Sequence, residues 1–141
     1  MKPVEKKVIV EADGGSRGNP GPAGYGAVVL DAATEEVLAE RHGGLGVATN
    51  NVAEYQGMIA GLHAALELGA TEVEVRMDSK LVVEQMSGRW QVKHPAMKPL
   101  AVLAGGLVRQ IGTVRFGWIP RARNSRADAL ANRAMDAQAA R

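Results

Sequence analysis

The chain contains no cysteine. Disulfides and thiolate metal sites are therefore excluded, and the composition suits a reducing compartment, so a cytoplasmic location is expected. Aromatic residues are scarce, with one Phe, two Tyr and two Trp among 141 residues, so the core has to be built from aliphatic side chains. No apolar run approaches the roughly 18 residues of a membrane span. The first seven residues, MKPVEKK, carry charge with no apolar stretch behind them, unlike a secretory signal. Repeats, low-complexity tracts and linkers are also missing. What remains is a globular composition, 46% hydrophobic and 23% charged. The length fits one domain over residues 1–141, whether standing alone or excised from a longer chain, with roughly two thirds of the unfolded surface buried.

Charge is unevenly spread. Residues 1–75 hold 5 Lys or Arg against 11 Asp or Glu, whereas residues 76–141 hold 12 against 4. Solvated helix faces would account for this. So would an acidic centre flanked by a basic surface, the arrangement that a phosphate-backbone ligand with bound cations requires.

Hydrophobic periodicity predicts strands over Val8–Ala12, Tyr25–Asp31, Val37–Leu45, Glu72–Met77 and Thr113–Ile119. Helices are predicted over Asn51–Leu68, Ser79–Met86, Pro99–Ile111 and Ser125–Ala140. This order argues for an α/β fold, a five-stranded mixed sheet flanked by helices. Between the first two strands the run Asp13-Gly14-Gly15-Ser16-Arg17-Gly18-Asn19-Pro20-Gly21-Pro22 is expected to form an irregular glycine loop. A nucleotide-triphosphate loop is excluded there, because the G-K-[ST] ending is absent.

Four carboxylates stand at element ends. Asp13 and Asp78 close two strands, while Glu54 and Asp128 fall in the predicted first turns of two helices. Each has a bland explanation. Asp13-Gly14 can be a turn and Asp78-Ser79 a helix cap. Asn51 and Ser125 can be N-caps with an acid three residues on. Functional residues of open α/β sheets, however, gather at the carboxyl ends of strands and the helix starts facing them. If the strands ending in Asp13 and Asp78 are parallel neighbours, the four acids converge, and they cannot all stay ionised without cations. Hard oxygen donors without Cys select Mg²⁺ or Mn²⁺ over zinc.

Four motifs in order then show a family likeness. The glycine segment from Asp13, Thr49-Asn50-Asn51-Val52-Ala53-Glu54, Met77-Asp78-Ser79 and Asn124-Ser125-Arg126-Ala127-Asp128-Ala129-Leu130-Ala131 resemble those of type 1 ribonuclease H. The resemblance implies a ribonuclease H-like fold and an endoribonuclease that cuts the RNA strand of RNA–DNA hybrids with two divalent ions. It implies that Asp13, Glu54, Asp78 and Asp128 are the metal ligands, with Mg²⁺ as cofactor and Mn²⁺ as a substitute. Asn19, Asn50 and Asn51 match minor-groove positions, where an amide suits a ribose 2′-hydroxyl. Thr49 matches a grip on a DNA-strand phosphate, and Gly14, Gly15 and Ser16 match backbone that approaches the RNA strand.

The departures concern the edges of the site. The loop Trp118-Ile119-Pro120-Arg121-Ala122-Arg123-Asn124 lacks the His that many relatives carry. Arg121 stands as its substitute, as in the subgroup with V/I-P-R at this place, for phosphate contact or product release, since guanidinium is no base at neutral pH. Lys80 replaces a Gln that contacts the groove in some members. The basic handle of some relatives is missing: Gly88–Pro99 is compact and offers Lys93 and Lys98, with Trp90 either stacking on a DNA sugar or packing in the core. His42 and His63 are read as structural. A hybrid duplex is the implied partner, with no membrane and a monomeric state. The alternatives are a non-catalytic nucleic-acid-binding module, or another nuclease of the same fold.

Overall fold

The computed structural model describes residues 6–139. Strands β1 (Lys7–Ser16), β2 (Gly21–Asp31) and β3 (Val37–Ala48) form an antiparallel meander. Strands β4 (Glu72–Met77) and β5 (Thr113–Trp118) add in parallel on the other side of β1, giving the order β3-β2-β1-β4-β5. Helix α1 (Asn50–Glu67) crosses one face, joined by α2 (Lys80–Met86) and α3 (Lys98–Ile111), and α4 (Ser125–Ala139) covers part of the other.

Period-two alternation divides the strands between two cores. Val8, Val10 and Ala12 of β1, with Val73, Val75 and Met77 of β4, pack under Tyr55, Met58 and Leu62 of α1 in the main cluster. Ile9, Val28 and Leu30 face the other way, against Leu130 of α4. As the scarcity of aromatics requires, Tyr55 is the one aromatic among the largest fully buried side chains.

The glycine segment is not an irregular loop. The β1–β2 ladder continues through Gly14↔Tyr25, Gly15↔Gly24 and Ser16↔Ala23, and only residues 17–20 turn the chain, closed by Arg17 N–H donating to the Pro22 carbonyl at 2.9 Å. A ladder uses main-chain groups, so a run without side chains still pairs when both strands stay extended. What the glycines supply is close approach. A methyl at Gly14 would stand 2.2 Å from the Ala53 main chain, one at Gly57 2.4 Å from the Asp13 carbonyl, and one at Gly26 2.5 Å from the Ala127 carbonyl. Backbone meets backbone at these crossings, and α1 and α4 are thereby drawn onto the end of β1 that carries Asp13.

Helix starts also differ from the expected caps. Thr49, not Asn51, caps α1, its hydroxyl accepting from Val52 N–H at 3.3 Å. Glu54 consequently lies beyond the first turn and caps nothing. Ser125 is the first residue of α4 rather than its cap. Ser79 does cap α2, accepting from Val82 N–H at 3.3 Å.

Candidate active site

The parallel register Glu11↔Arg76 carries β1 and β4 side by side to their carboxyl ends, two residues before Asp13 and Asp78. Helix α1 brings Glu54 over them from one face, and α4 brings Asp128 from the other. The four carboxylates line one open cleft of about 510 Å³.

Their electrostatics are unbalanced. The Asp13 carboxyl is pushed up to about 8, first by burial, then by the charge of Asp78 and a hydrogen bond with Asp128. Glu54 is pushed up to about 7 by burial and by Asp78, against a lowering hydrogen bond from Ser79. Without a cation, these groups hold protons near neutral pH. Among the described residues no three His, Cys, Asp or Glu side chains form a ready-made metal cage. The all-oxygen donor set suits a hard divalent cation, whose binding would displace those protons.

The cleft also gathers Gly14, Gly15, Ser16, Asn19, Asn50, Asn51 and Arg121. Asn19 and Asn50 brace the wall as well as lining it. Asn50 N–H donates to Asn19 Oδ1 at 3.0 Å, and Ser16 N–H donates to Asn50 Oδ1 at 2.8 Å. Both carbonyl oxygens are thus engaged, and the amide donors are what these side chains can offer a ligand. Asn51 is exposed on the first turn of α1. Arg121 lies on a single 3₁₀ turn, Arg121–Arg123, with its guanidinium 3.6 Å from Asp128.

Thr49, Lys80 and Trp90 do not line the cleft. The Thr49 hydroxyl accepts the α1 cap bond and keeps its O–H proton to donate. Lys80 reaches towards Glu84 at 4.0 Å and the Trp118 ring at 6.0 Å. Trp90 is 46% exposed on the loop after α2, so the core-packing reading of it is wrong. His63 pairs with Glu67 on the surface and His42 is exposed on β3, both away from the acids.

Sequence reasoning missed three residues. Asn132 donates to Asp128 Oδ2 at 3.1 Å, a pairing signalled by its i, i+4 position on one helix face. Arg17 lines the cleft and is held by Asp136 at 2.8 Å. Asn124, inside a quoted motif but given no role, is fully buried and donates to Asp78 Oδ1 at 2.7 Å.

This geometry can be set beside known proteins. The family described as "Reverse transcriptase-like" matches residues 11–134. The RNase H1 of the halophilic archaeon Halobacterium salinarum superposes with a TM-score of 0.88 at 42% identity, covering 93% of this chain and 98% of that one. The chain belongs to the type 1 ribonuclease H family. Within that family it is also similar to the N-terminal RNase H domain of Rv2228c from Mycobacterium tuberculosis, with a TM-score of 0.94 at 64% identity over 96% of this chain and 97% of that domain. LC11-RNase H1, solved in complex with an RNA/DNA hybrid, gives a TM-score of 0.87 at 41% identity over 92% of this chain and 97% of that one. The chain spans only 36% of the curated bifunctional protein Rv2228c and 62% of the curated Halobacterium salinarum ribonuclease HI. The family depends on divalent metal. Among the described residues no helix is long and apolar enough to cross a membrane.

Proposed function

We propose that this chain is an endoribonuclease that hydrolyses the RNA strand of RNA–DNA hybrids, acting as a single monomeric domain in the cytoplasm with Mg²⁺, and Mn²⁺ as a substitute. The observation that carries this reading is the meeting of Asp13, Glu54, Asp78 and Asp128 in one cleft, where burial and neighbouring acids raise the Asp13 and Glu54 carboxyls. The four carboxylates would hold two divalent ions, whose chemistry is activation of water and neutralisation of the leaving 3′ oxygen.

The chain's own groups do the rest. Asn50 and Asn51 offer amide donors to the minor groove, and Asn19 holds the glycine turn against α1 while facing the same cleft. A ribose 2′-hydroxyl accepts from such donors, and a deoxyribose cannot. The main chain of Gly14, Gly15 and Ser16 forms the floor along which the RNA strand passes. Arg121, 78% exposed and anchored near Asp128, is placed to contact a phosphate and to release it. Thr49, Lys80 and Trp90 lie outside the cleft lining and serve the flanking DNA strand.

Incubation of labelled RNA–DNA hybrid, double-stranded RNA and double-stranded DNA with Mg²⁺ tests this directly. Cleavage of the hybrid's RNA strand alone is expected, with loss on chelation. Hybrid binding without cleavage would make the chain a recognition module, and cleavage of double-stranded DNA would make it another nuclease of the fold.

A further inference from the structure

Of the four acids, three are fixed by regular structure. Asp13 sits in the β1–β2 ladder opposite Gly26, and Glu54 and Asp128 sit inside helices. Asp78 falls instead in the bend between β4 and α2, outside ladder and helix. Two side chains hold it, Trp118 from the end of β5 and Asn124 from just after the 3₁₀ turn that follows. Asn124 Nδ2 donates to its carboxylate Oδ1 at 2.7 Å, and Trp118 Nε1 donates to its main-chain carbonyl at 3.1 Å.

Neither side chain is explained by packing. Asn124 is fully buried, yet its Oδ1 has no hydrogen-bond partner, which destabilises the fold. Turning the amide over would set that oxygen against two acceptors, because Nδ2 also donates to the Ala12 carbonyl at 2.9 Å. The same amide thus ties Asp78 to the residue before Asp13, spanning the two strands that carry the central acids. Trp118 is half exposed, so burial of its ring is a weak reason for its presence.

We infer that Asn124 and Trp118 are positioning residues that fix the Asp78 carboxylate for cation binding, one gripping the carboxylate and the other the main chain beneath it. Neither lines the cleft, and the fully buried Asn124 is closed to substrate. The inference rests on the assignment of Asp78 as a cation ligand, and its test separates the two claims.

The readout is the Mg²⁺-induced rise in melting temperature without nucleic acid, titrated to half-saturation, alongside kcat and KM on the hybrid. Asn124→Ala is expected to raise half-saturating Mg²⁺ about 10- to 100-fold, as loss of a ligand's outer partner does. Trp118→Phe, which keeps a surface ring and removes only the N–H, is expected to raise it about 3- to 10-fold. KM for the hybrid should not change in either. If Asn124→Ala does not fold, Trp118→Phe decides alone. Wild-type Mg²⁺ half-saturation in Trp118→Phe, or a rise confined to KM, overturns the inference. Asp78→Asn is the control: if it responds to Mg²⁺ as wild type does, the ligand assignment fails. If it loses the response while the other two variants keep it, the positioning claim fails by itself.

Discussion

Asp31 ends the β1–β2 ladder opposite Val8, whereas Asp13 lies in its farther half, opposite Gly26 and three pairs before Ser16↔Ala23. Asp31 realises the bland fate of an Asp at a strand end. Its Oδ1 accepts from the main-chain N–H of Ala33 and Thr34, both at 2.9 Å, and these bonds hold its carboxyl below the usual range. The neighbouring strand starts are compensated too, with Lys7 and Glu72 paired at 3.1 Å. Asp13 has the reverse surroundings: burial and the acids Asp78 and Asp128 raise it, and only the Gly14 main chain opposes them. One end of the sheet satisfies its charges internally. The other leaves them for something the chain does not contain.

Four experiments sharpen or break this contrast. The largest effect is expected from Asp78→Asn, which keeps the shape and removes a charge: hybrid cleavage should fall about 10³-fold or more while the circular dichroism spectrum is retained. Near-normal cleavage would mean that the acids are not a cation site. Gly57→Ala follows, because its methyl would meet the Asp13 carbonyl and push α1 off β1. Denaturant unfolding should show a loss of about 1–3 kcal/mol, with cleavage reduced beyond what the unfolded fraction explains. Unchanged stability would show that the backbone contact is not what draws Glu54 to Asp13.

The third experiment compares Asp13→Asn with Asp31→Asn in metal-free protein. A carboxyl raised in the folded state favours folding least when ionised, so the cost of Asp13 grows as pH rises from about 4 towards about 8. Asp13→Asn should therefore stabilise by about 1–3 kcal/mol at pH 8 and by nothing near pH 4. Asp31 has a lowered carboxyl, so Asp31→Asn should destabilise above pH 4, and the difference should vanish as pH falls. Thermal melts at several pH values check both signs. The smallest effect concerns Asn51→Ala, read by cleavage of an all-ribose hybrid strand and one with deoxyribose beside the cut. The preference between them should shrink by about tenfold or less, the worth of one hydrogen bond. Strictly additive losses would remove Asn51 from 2′-hydroxyl recognition.

Much of this architecture is legible in the sequence, because alternation and helical spacing expose the strands and helices, and because Asp78 and Asp128 stand at element ends. The strand Glu72–Met77 is found with its observed bounds. Two kinds of feature are not legible. The continuation of β1 to Ser16 depends on main-chain pairing with β2, which a run of glycines does not signal. The cap of α1 moves from Asn51 to Thr49 because Asn50 is drawn to Ser16 and Asn19, contacts between residues far apart in the chain. Asn124 escaped for the same reason: its partners, Ala12 and Asp78, lie 112 and 46 positions away.

The central claim is that the carboxyl end of the sheet holds charge reserved for cations. Calorimetric titration of Mg²⁺ into the protein without nucleic acid, at pH 7 in buffers of different ionisation enthalpy, tests it most directly. With Asp13 at about 8 and Glu54 at about 7, cation binding has to displace protons, so about one proton per protein should be released. Asp13→Asn should release markedly fewer. Mg²⁺ binding with no proton release, or the same release from Asp13→Asn, would contradict the account.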